Sequence, residues 1–300
     1  MTAQQVSIGT RGSALAVRQT ELVAAALRER HPQVEFAIRR IESEGDRNQR
    51  DPVSLLGDKG VFVRALEQAL LRGGIDLAVH SLKDVPSDVE TPGLTLAAFS
   101  RREDPRDCVV SREGATLATL SSGARVGTSS LRRRAQLLAI RPDLTVVPIR
   151  GNVDTRLRKL RDREYDAIVL AAAGLHRLGL DEAITEYLSV DEMIPDAGQG
   201  ILAIQARAGD PSCDLAACID DPASRIAALA ERAAVRALGA DCRSPVGVLA
   251  ALEGKTMRIR GMAASEDGSC LARAEASGPV SEAEATGYKL GRELLARLER

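Results

Sequence analysis

Six basic residues, Arg11, Arg132, Arg133, Arg150, Arg156 and Arg177, fall at the ends of strand-like or helix-like segments. Arg11 lies in the first turn of the chain. Arg132 and Arg133 open a helical run, and Arg150 closes a strand just before Gly151-Asn152. Arg156 follows one helical turn later, and Arg177 comes after Ala171-Ala172-Ala173-Gly174. Binding groups of α/β domains gather at the carboxyl ends of strands, so these six are expected to meet a polyanion. Each taken singly also reads as a solvated helix face. A guanidinium fork fits a carboxylate or phosphate in a way an ammonium does not. Arginine makes up 36 of the 41 basic residues, but a compositional bias accounts for that equally well, so position has to carry the argument.

Two further stretches offer chemistry. His80-Ser81-Leu82-Lys83-Asp84-Val85-Pro86 follows a buried strand. Lys83 favours the ionised form of Asp84, which could then stabilise positive charge or move a proton. A plain exposed turn is the alternative. Cys242 lies in a loop between a helix stop at Gly239 and a strand, next to Arg243, whose charge favours a thiolate. On these residues alone an inert loop thiol is the competing reading. Cys108, inside an apolar run, reads as buried.

The elements that must position these residues alternate. Val6 to Thr10 reads as a strand, Ala14 to Arg30 as a helix, and Glu35 to Ile41 as a strand. Gly60 to Arg72 is helical, and Asp76 to His80 and Leu94 to Phe99 are buried strands. The plan then repeats: strands at Arg106 to Val110 and Arg125 to Thr128, a helix over Ser130 to Ala139, a strand at Thr145 to Ile149, a helix over Asn152 to Arg163, and a strand at Asp166 to Leu170. The order implies α/β domains with largely parallel sheets. Gly9-Thr10-Arg11-Gly12-Ser13 and Gly127-Thr128-Ser129-Ser130 echo each other, and both turns would aim backbone N–H groups and hydroxyls at an anion. Beyond Asp220 come a helix over Ala223 to Leu238, strands at Val246 to Leu252, Met257 to Ala263 and Cys270 to Ala276, and a helix over Ser281 to Arg297. Short turns between the strands predict antiparallel hairpins.

Composition excludes several classes. A net charge of −1 and 2% aromatic residues argue against nucleic acid, even with Arg132-Arg133-Arg134 in sequence. The longest apolar stretches are too short to span a bilayer. The five cysteines and three histidines show no metal or disulfide spacing. Met1 to Ser7 has no basic patch before an apolar run, so a cytoplasmic chain is expected.

Taken together the segments resemble the porphobilinogen deaminase (hydroxymethylbilane synthase) family along nearly the whole chain. The matching motifs are Gly9 to Ser13 with Leu15 and Gln19, Gly57 to Phe62, His80 to Pro86, Gly127 to Arg133, Arg150 to Leu157, Ala172 to Leu175 with Arg177 to Gly179, Pro195 to Gly200, and Cys242 with Pro245 and Gly247. The resemblance implies three domains. Two are periplasmic-binding-protein-like α/β domains flanking an active-site cleft, residues 1–99 with 200–219 and residues 100–199. The third, residues 220–300, is a small α+β domain with a three-stranded antiparallel sheet. It also implies a cytoplasmic transferase, a monomer without metal, that deaminates porphobilinogen and joins four units head to tail before water releases the linear tetrapyrrole.

The family's primer is a dipyrromethane held as a thioether, which the resemblance places on Cys242. Asp84 matches the catalytic carboxylate. Lys83, Asp84, Thr128, Ser129, Ser130, Arg132, Arg133, Arg150, Asn152 and Arg156 match cofactor contacts. Arg11, Ser13, Gln19, Arg150, Arg156, Arg177 and Gln199 match substrate contacts, and Lys59 and Phe62 lie in the segment matching an active-site loop. Asp58, His176 and Arg134 depart from the pattern. The rival class on residues alone is a non-catalytic anion-binding protein, which has no use for a reactive cysteine in a third domain.

Overall fold

The computed structural model describes residues 4–41, 61–240, 244–265 and 270–299. Lys59 and Cys242, and the side chain of Phe62, lie outside the described residues. The chain divides into two compact units, Met1–Arg102 with Ile201–Arg225, and Glu103–Gly200 with Ile226–Arg300.

The first unit is built on five strands: β1 (Gln4–Thr10), β2 (Val34–Arg40), β3 (Leu77–Ser81), β4 (Leu94–Phe99) and β10 (Leu202–Arg207). Their order is β2-β1-β3-β10-β4. Helix α1 (Ala14–Arg30) joins β1 to β2, and α2 (Val61–Leu71) precedes β3. On one face Val23, Ala24 and Leu27 of α1 pack with Leu77, Val79 and Ile204. On the other, Leu66 and Leu70 of α2 pack with Ile75 and Ala78. A strand covered on both sides needs apolar residues at successive positions, which is why Leu77-Ala78-Val79 was readable as buried.

The second unit repeats this arrangement with β5 (Asp107–Ser111), β6 (Arg125–Gly127), β7 (Thr145–Val147), β8 (Ala167–Ala171) and β9 (Glu186–Tyr187). The order is β7-β6-β8-β5-β9. Helices α3 (Leu131–Ile140), α4 (Val153–Arg161) and α5 (Ala172–Leu178) fill the connections. In both sheets four strands share one direction and one, β10 or β5, runs antiparallel between its neighbours. The sheets are therefore mixed, with four strands of each five meeting the largely parallel expectation. β10 and β5 enter through connections that are not β-α-β crossovers, and only the crossover obliges neighbours to run parallel.

A short helix, α6 (Ser212–Ala216), follows β10. Next comes α7 (Pro222–Ala237), opened by a proline whose missing N–H costs nothing at a helix start. The antiparallel sheet β11 (Val246–Glu253), β12 (Thr256–Ala264) and β13 (Leu271–Pro279) is followed by α8 (Ala283–Leu298). Helices α7 and α8 cross with backbone almost touching. A Cβ at Gly287 would stand 2.0 Å from the Ala230 carbonyl oxygen, and one at Gly291 2.3 Å from that of Ala234. One face of this sheet packs on the two helices through Met257, Ile259, Leu290 and Leu294. The other face, through Leu249, Met262 and Ala264, packs on Ala135 and Ile194.

Candidate functional site

In the first unit the predicted residues gather at the carboxyl ends of β1 and β3. Ser13 caps α1, its hydroxyl accepting from the Ala16 N–H at 3.3 Å. That is the ordinary work of a serine before a helix, and it fixes the turn that carries Arg11. Gln19 is buried and donates to the Ser81 hydroxyl at 3.0 Å, tying α1 to the last residue of β3. From there a single 3-10 turn, Leu82–Asp84, places Leu82 in the core, Lys83 half-buried and Asp84 exposed. The Asp84 carboxylate has no hydrogen-bond or ion-pair partner among the described residues.

In the second unit the equivalent turn follows β6. Ser130 caps α3 by accepting from the Arg133 N–H at 3.3 Å, as Ser13 caps α1. The Thr128 hydroxyl accepts from the Ser130 N–H at 3.2 Å. Ser129 donates to the Ile149 carbonyl at 2.6 Å and accepts from the Ile149 N–H at 3.1 Å, so it fastens the turn to the stretch that ends at Arg150. Asn152 is exposed at the head of α4, without a capping bond. Gly151 before it has φ +109°, and a Cβ there would meet Thr155 at 2.5 Å, so the entry to α4 requires glycine.

The arginines divide by their partners. Arg132 and Arg133 are buried and share Asp107, the first residue of β5, which is wholly enclosed. Arg132 Nη1 donates to Asp107 Oδ2 at 2.7 Å, and Arg133 Nη2 donates to Oδ1 at 2.8 Å. Gln199 adds a bond to Oδ1 at 2.9 Å. Burial pushes the Asp107 carboxyl up, but the two guanidiniums outweigh it and hold the group well below the usual carboxylate range. Arg132 also donates to the Ile194 carbonyl at 2.8 Å, while its buried Nε has no hydrogen-bond partner.

Arg156 is different. Its Nε donates to the Gly151 carbonyl at 2.8 Å, and no carboxylate of the described residues pairs with it. Burial, with the nearby charge of Arg133, pulls it down to about 10. Arg177, bonded to the Gly200 carbonyl at 2.6 Å, is likewise pulled down to about 10 by burial, partly offset by Glu103. His176 beside it lies between Glu103 at 3.2 Å and the Tyr187 hydroxyl at 2.9 Å.

Three residues of this arrangement were not singled out in the sequence. Asp107 is the hub of the arginine pair. Gln136 holds Ile194 through both of its backbone groups, at 2.8 and 3.0 Å. Glu231, fully buried in α7, accepts from the N–H groups of Gly198 and Ala250 at 2.7 and 2.8 Å. Together they set the Ile194 to Gln199 segment against β11. A Cβ at Gly247 would stand 2.6 Å from the Ile194 carbonyl oxygen and 3.1 Å from Arg132 Cδ. Strand β11 therefore lies on Arg132.

Comparison with known proteins fits this geometry. Residues 6–214 match the family model described as porphobilinogen deaminase, dipyromethane cofactor binding domain, and residues 225–296 match the porphobilinogen deaminase C-terminal domain. The chain belongs to the porphobilinogen deaminase family. The porphobilinogen deaminase of Roseiflexus castenholzii is 53% identical over 291 residues, 97% of this chain and 95% of that one. The one from Thermus thermophilus is 48% identical over 293 residues, 97% and 95% of the two chains. Among solved structures, an arginine-specific periplasmic binding protein of Salmonella typhimurium aligns with a TM-score of 0.41 and 17% identity, over 74% of this chain and 94% of that chain.

The family's cofactor is a dipyrromethane bearing carboxylate side arms, and the residues present fit it. Arg156 is desolvated beside a second arginine and pairs with no carboxylate of the described residues, and Arg132 keeps a buried N–H without a partner. A desolvated guanidinium and an unpaired buried N–H are both stabilised by a further anion.

Proposed function

We propose that this chain is a transferase that deaminates porphobilinogen and joins four units head to tail, releasing linear hydroxymethylbilane by hydrolysis. When bound, the dipyrromethane supplies the free pyrrole α-carbon from which the chain grows. Cys242 is its attachment point. Arg132, Arg133, Arg150 and Arg156 hold its carboxylates, with Thr128, Ser129, Ser130 and Asn152 lining the same turns and Lys83 contributing from the turn after β3. Arg132 and Arg133 are rigid because Asp107 and Gln199 already fix them, so carboxylates meet preset donors rather than mobile ones.

Asp84 carries the chemistry. Loss of ammonia from the aminomethyl arm of porphobilinogen leaves an electron-poor ring whose N–H becomes strongly acidic. A carboxylate facing that N–H stabilises the developing positive charge. Arg11, Arg150, Arg156 and Arg177 pair with the acetate and propionate arms, supported by Ser13, Gln19 and Gln199 as positioning groups. Lys59 and Phe62 belong to the segment assigned to an active-site loop. We further propose a three-domain division at residues 1–99 with 200–219, 100–199 and 220–300, and a cytoplasmic monomer that uses neither metal nor nucleic acid. The near-neutral charge supports the last point.

The observation that carries this reading is the desolvated Arg156, paired with no carboxylate of the described residues, beside the Asp107-held pair in a chain of this family. Intact-mass measurement of the purified protein tests it. The expected result is a dipyrrole adduct that colours with Ehrlich's aldehyde reagent and is missing from Cys242→Ser. Cys108, whose thiol burial pushes up to about 12, should stay unmodified. Protein that carries no adduct and consumes no porphobilinogen would overturn the reading in favour of a passive anion binder.

A further inference from the structure

His80 is enclosed, 5% exposed, and has no part in the function described so far. A buried imidazole is a costly choice where an aliphatic side chain would pack as well. Its neighbours explain it. The His80 Nε2 stands 3.0 Å from Gln205 Oε1, and Gln205 Nε2 donates to Glu67 Oε1 at 2.9 Å. Glu67 lies on α2, Gln205 on β10 and His80 on β3. A carboxylate only accepts, so the Gln205 amide must turn its NH2 to Glu67 and its carbonyl to His80. Nε2 of His80 is therefore the protonated nitrogen, and Nδ1 bears the lone pair. Burial, with the charge of Arg11 adding to it, draws the imidazole down to about 4, so the ring stays neutral.

The register says what stands beside it. β1 and β3 run parallel, with Ile8 opposite Leu77 and Gly9 opposite Ala78. Continued two residues past that ladder, the same register brings Arg11 level with His80, and its charge is felt at the imidazole. They share a face as well. A Cβ at Gly9 would meet Ile75 at 2.3 Å and Leu66 at 3.0 Å, and Ala78 packs with the same two residues. Alternation then puts Arg11 and His80 on that side together.

We propose that His80 is a positioning residue: the Glu67–Gln205 pair fixes its imidazole as the Nε2–H form, and the Nδ1 lone pair seats the Arg11 guanidinium for a substrate carboxylate. A neutral acceptor suits the task. A carboxylate at this place would neutralise Arg11 and compete with the substrate, and an imidazolium would repel it. The proposal rests on the reading of Arg11 as a substrate contact.

Nitrogen-15 NMR of the full chain at neutral pH reads the first half directly. The expected spectrum has His80 neutral and protonated on Nε2, with Glu67→Gln relaxing it to a mixture of tautomers. An Nδ1–H form or an imidazolium overturns the proposal. Kinetics read the second half. His80→Gln keeps a donor at the Nε2 place and loses the Nδ1 acceptor, and its KM for porphobilinogen should rise roughly tenfold with kcat within about twofold, as for one lost bond to a charged group. His80→Asn, with an oxygen at the Nδ1 place, should recover most of that KM. Wild-type KM in His80→Gln, or an equal loss in both variants, overturns the positioning role. If Arg11→Leu leaves KM unchanged while the NMR result stands, the reading of Arg11 is what has failed.

Discussion

Arg132 Nη1 stands 2.7 Å from Asp107 Oδ2, with the side chains of both residues closed to solvent. Removing the acid would strand Arg132 and Arg133 as buried cations, and breaking such a set costs far more than the set contributes. Asp107→Ala is expected to lose about 3–5 kcal/mol in urea unfolding, and Asp107→Asn should not restore it. The Asp107 carboxyl is held low in the folded state despite the opposing effect of its burial, so its contribution is complete above the ordinary carboxylate range. It is lost only as pH falls through the folded value. A variant as stable as the parent would mean that Arg132 and Arg133 can find other partners.

His80 gives a pH dependence of the same sign at higher pH, from a base that burial holds neutral. Between its ordinary value of 6.5 and about 4 in the folded chain, the unfolded state binds a proton that the folded state refuses. Stability therefore rises with pH across that window and is lost on acidification below about 6.5. The full difference amounts to roughly 3 kcal/mol. Thermal unfolding at pH 7 and pH 4.5 should show a smaller separation for His80→Gln than for the parent. Equal separations would show that His80 takes no part in acid unfolding.

Much of this arrangement was legible in the residues because it rests on local signals. Leu77-Ala78-Val79 and Ala167-Ile168-Val169-Leu170 are apolar at successive positions, as strands covered on both faces must be. The turns before Ser13 and Ser130 stand at equivalent places in two sheets of the same strand order, so the short echo between them reflected the topology. What escaped was set by distant partners. Asp107 opens a strand like any polar flanking residue, and only the burial of two arginines 25 and 26 positions away reveals its work. Helix α5 hides in Ala172-Ala173-Gly174, where no polar face alternates with an apolar one. Strand direction in β5 and β10 depends on how the chain arrives, which no periodicity records. Ser13 and Gln19, expected at the substrate, are engaged in capping α1 and holding Ser81.

Arg156 should separate binding from stability. Burial disfavours its charge, and no carboxylate of the described residues repays that cost. Arg156→Leu removes the desolvated charge together with one bond to the Gly151 carbonyl. The cofactor-free variant is expected to melt at or above the temperature of the cofactor-free parent, the usual pattern where a site is built at the expense of the fold. Loading with porphobilinogen should fall roughly ten- to a hundredfold, the worth of one charge-assisted bond of about 1.5–3 kcal/mol. A variant that melts lower and loads normally would make Arg156 a structural residue.

Asp84 should show activity and stability fully uncoupled. Its carboxylate is exposed on a 3-10 turn and holds nothing in the fold among the described residues. Substituting it should change unfolding stability by no more than about 0.5 kcal/mol, the range of surface positions. The rate is another matter. A charge aimed at a forming cation is worth roughly a hundred- to a thousandfold, so Asp84→Asn, which keeps the shape and loses the charge, should fall by that much. Asp84→Glu keeps the charge but displaces it by about one methylene, a shift that can itself cost roughly a hundredfold. Its loss should therefore be no larger than that of Asp84→Asn. The repeated topology offers a second turn after β6, but that turn carries serines and arginines and no acid, so on the proposed reading Asp84 serves every coupling. Quenching with limiting substrate and weighing the protein should then give a ladder of equal mass steps, with Asp84→Ala slowing each rung alike. Near-normal turnover in Asp84→Asn would remove charge stabilisation from the mechanism. A ladder that stalls at one length would assign that step to another residue.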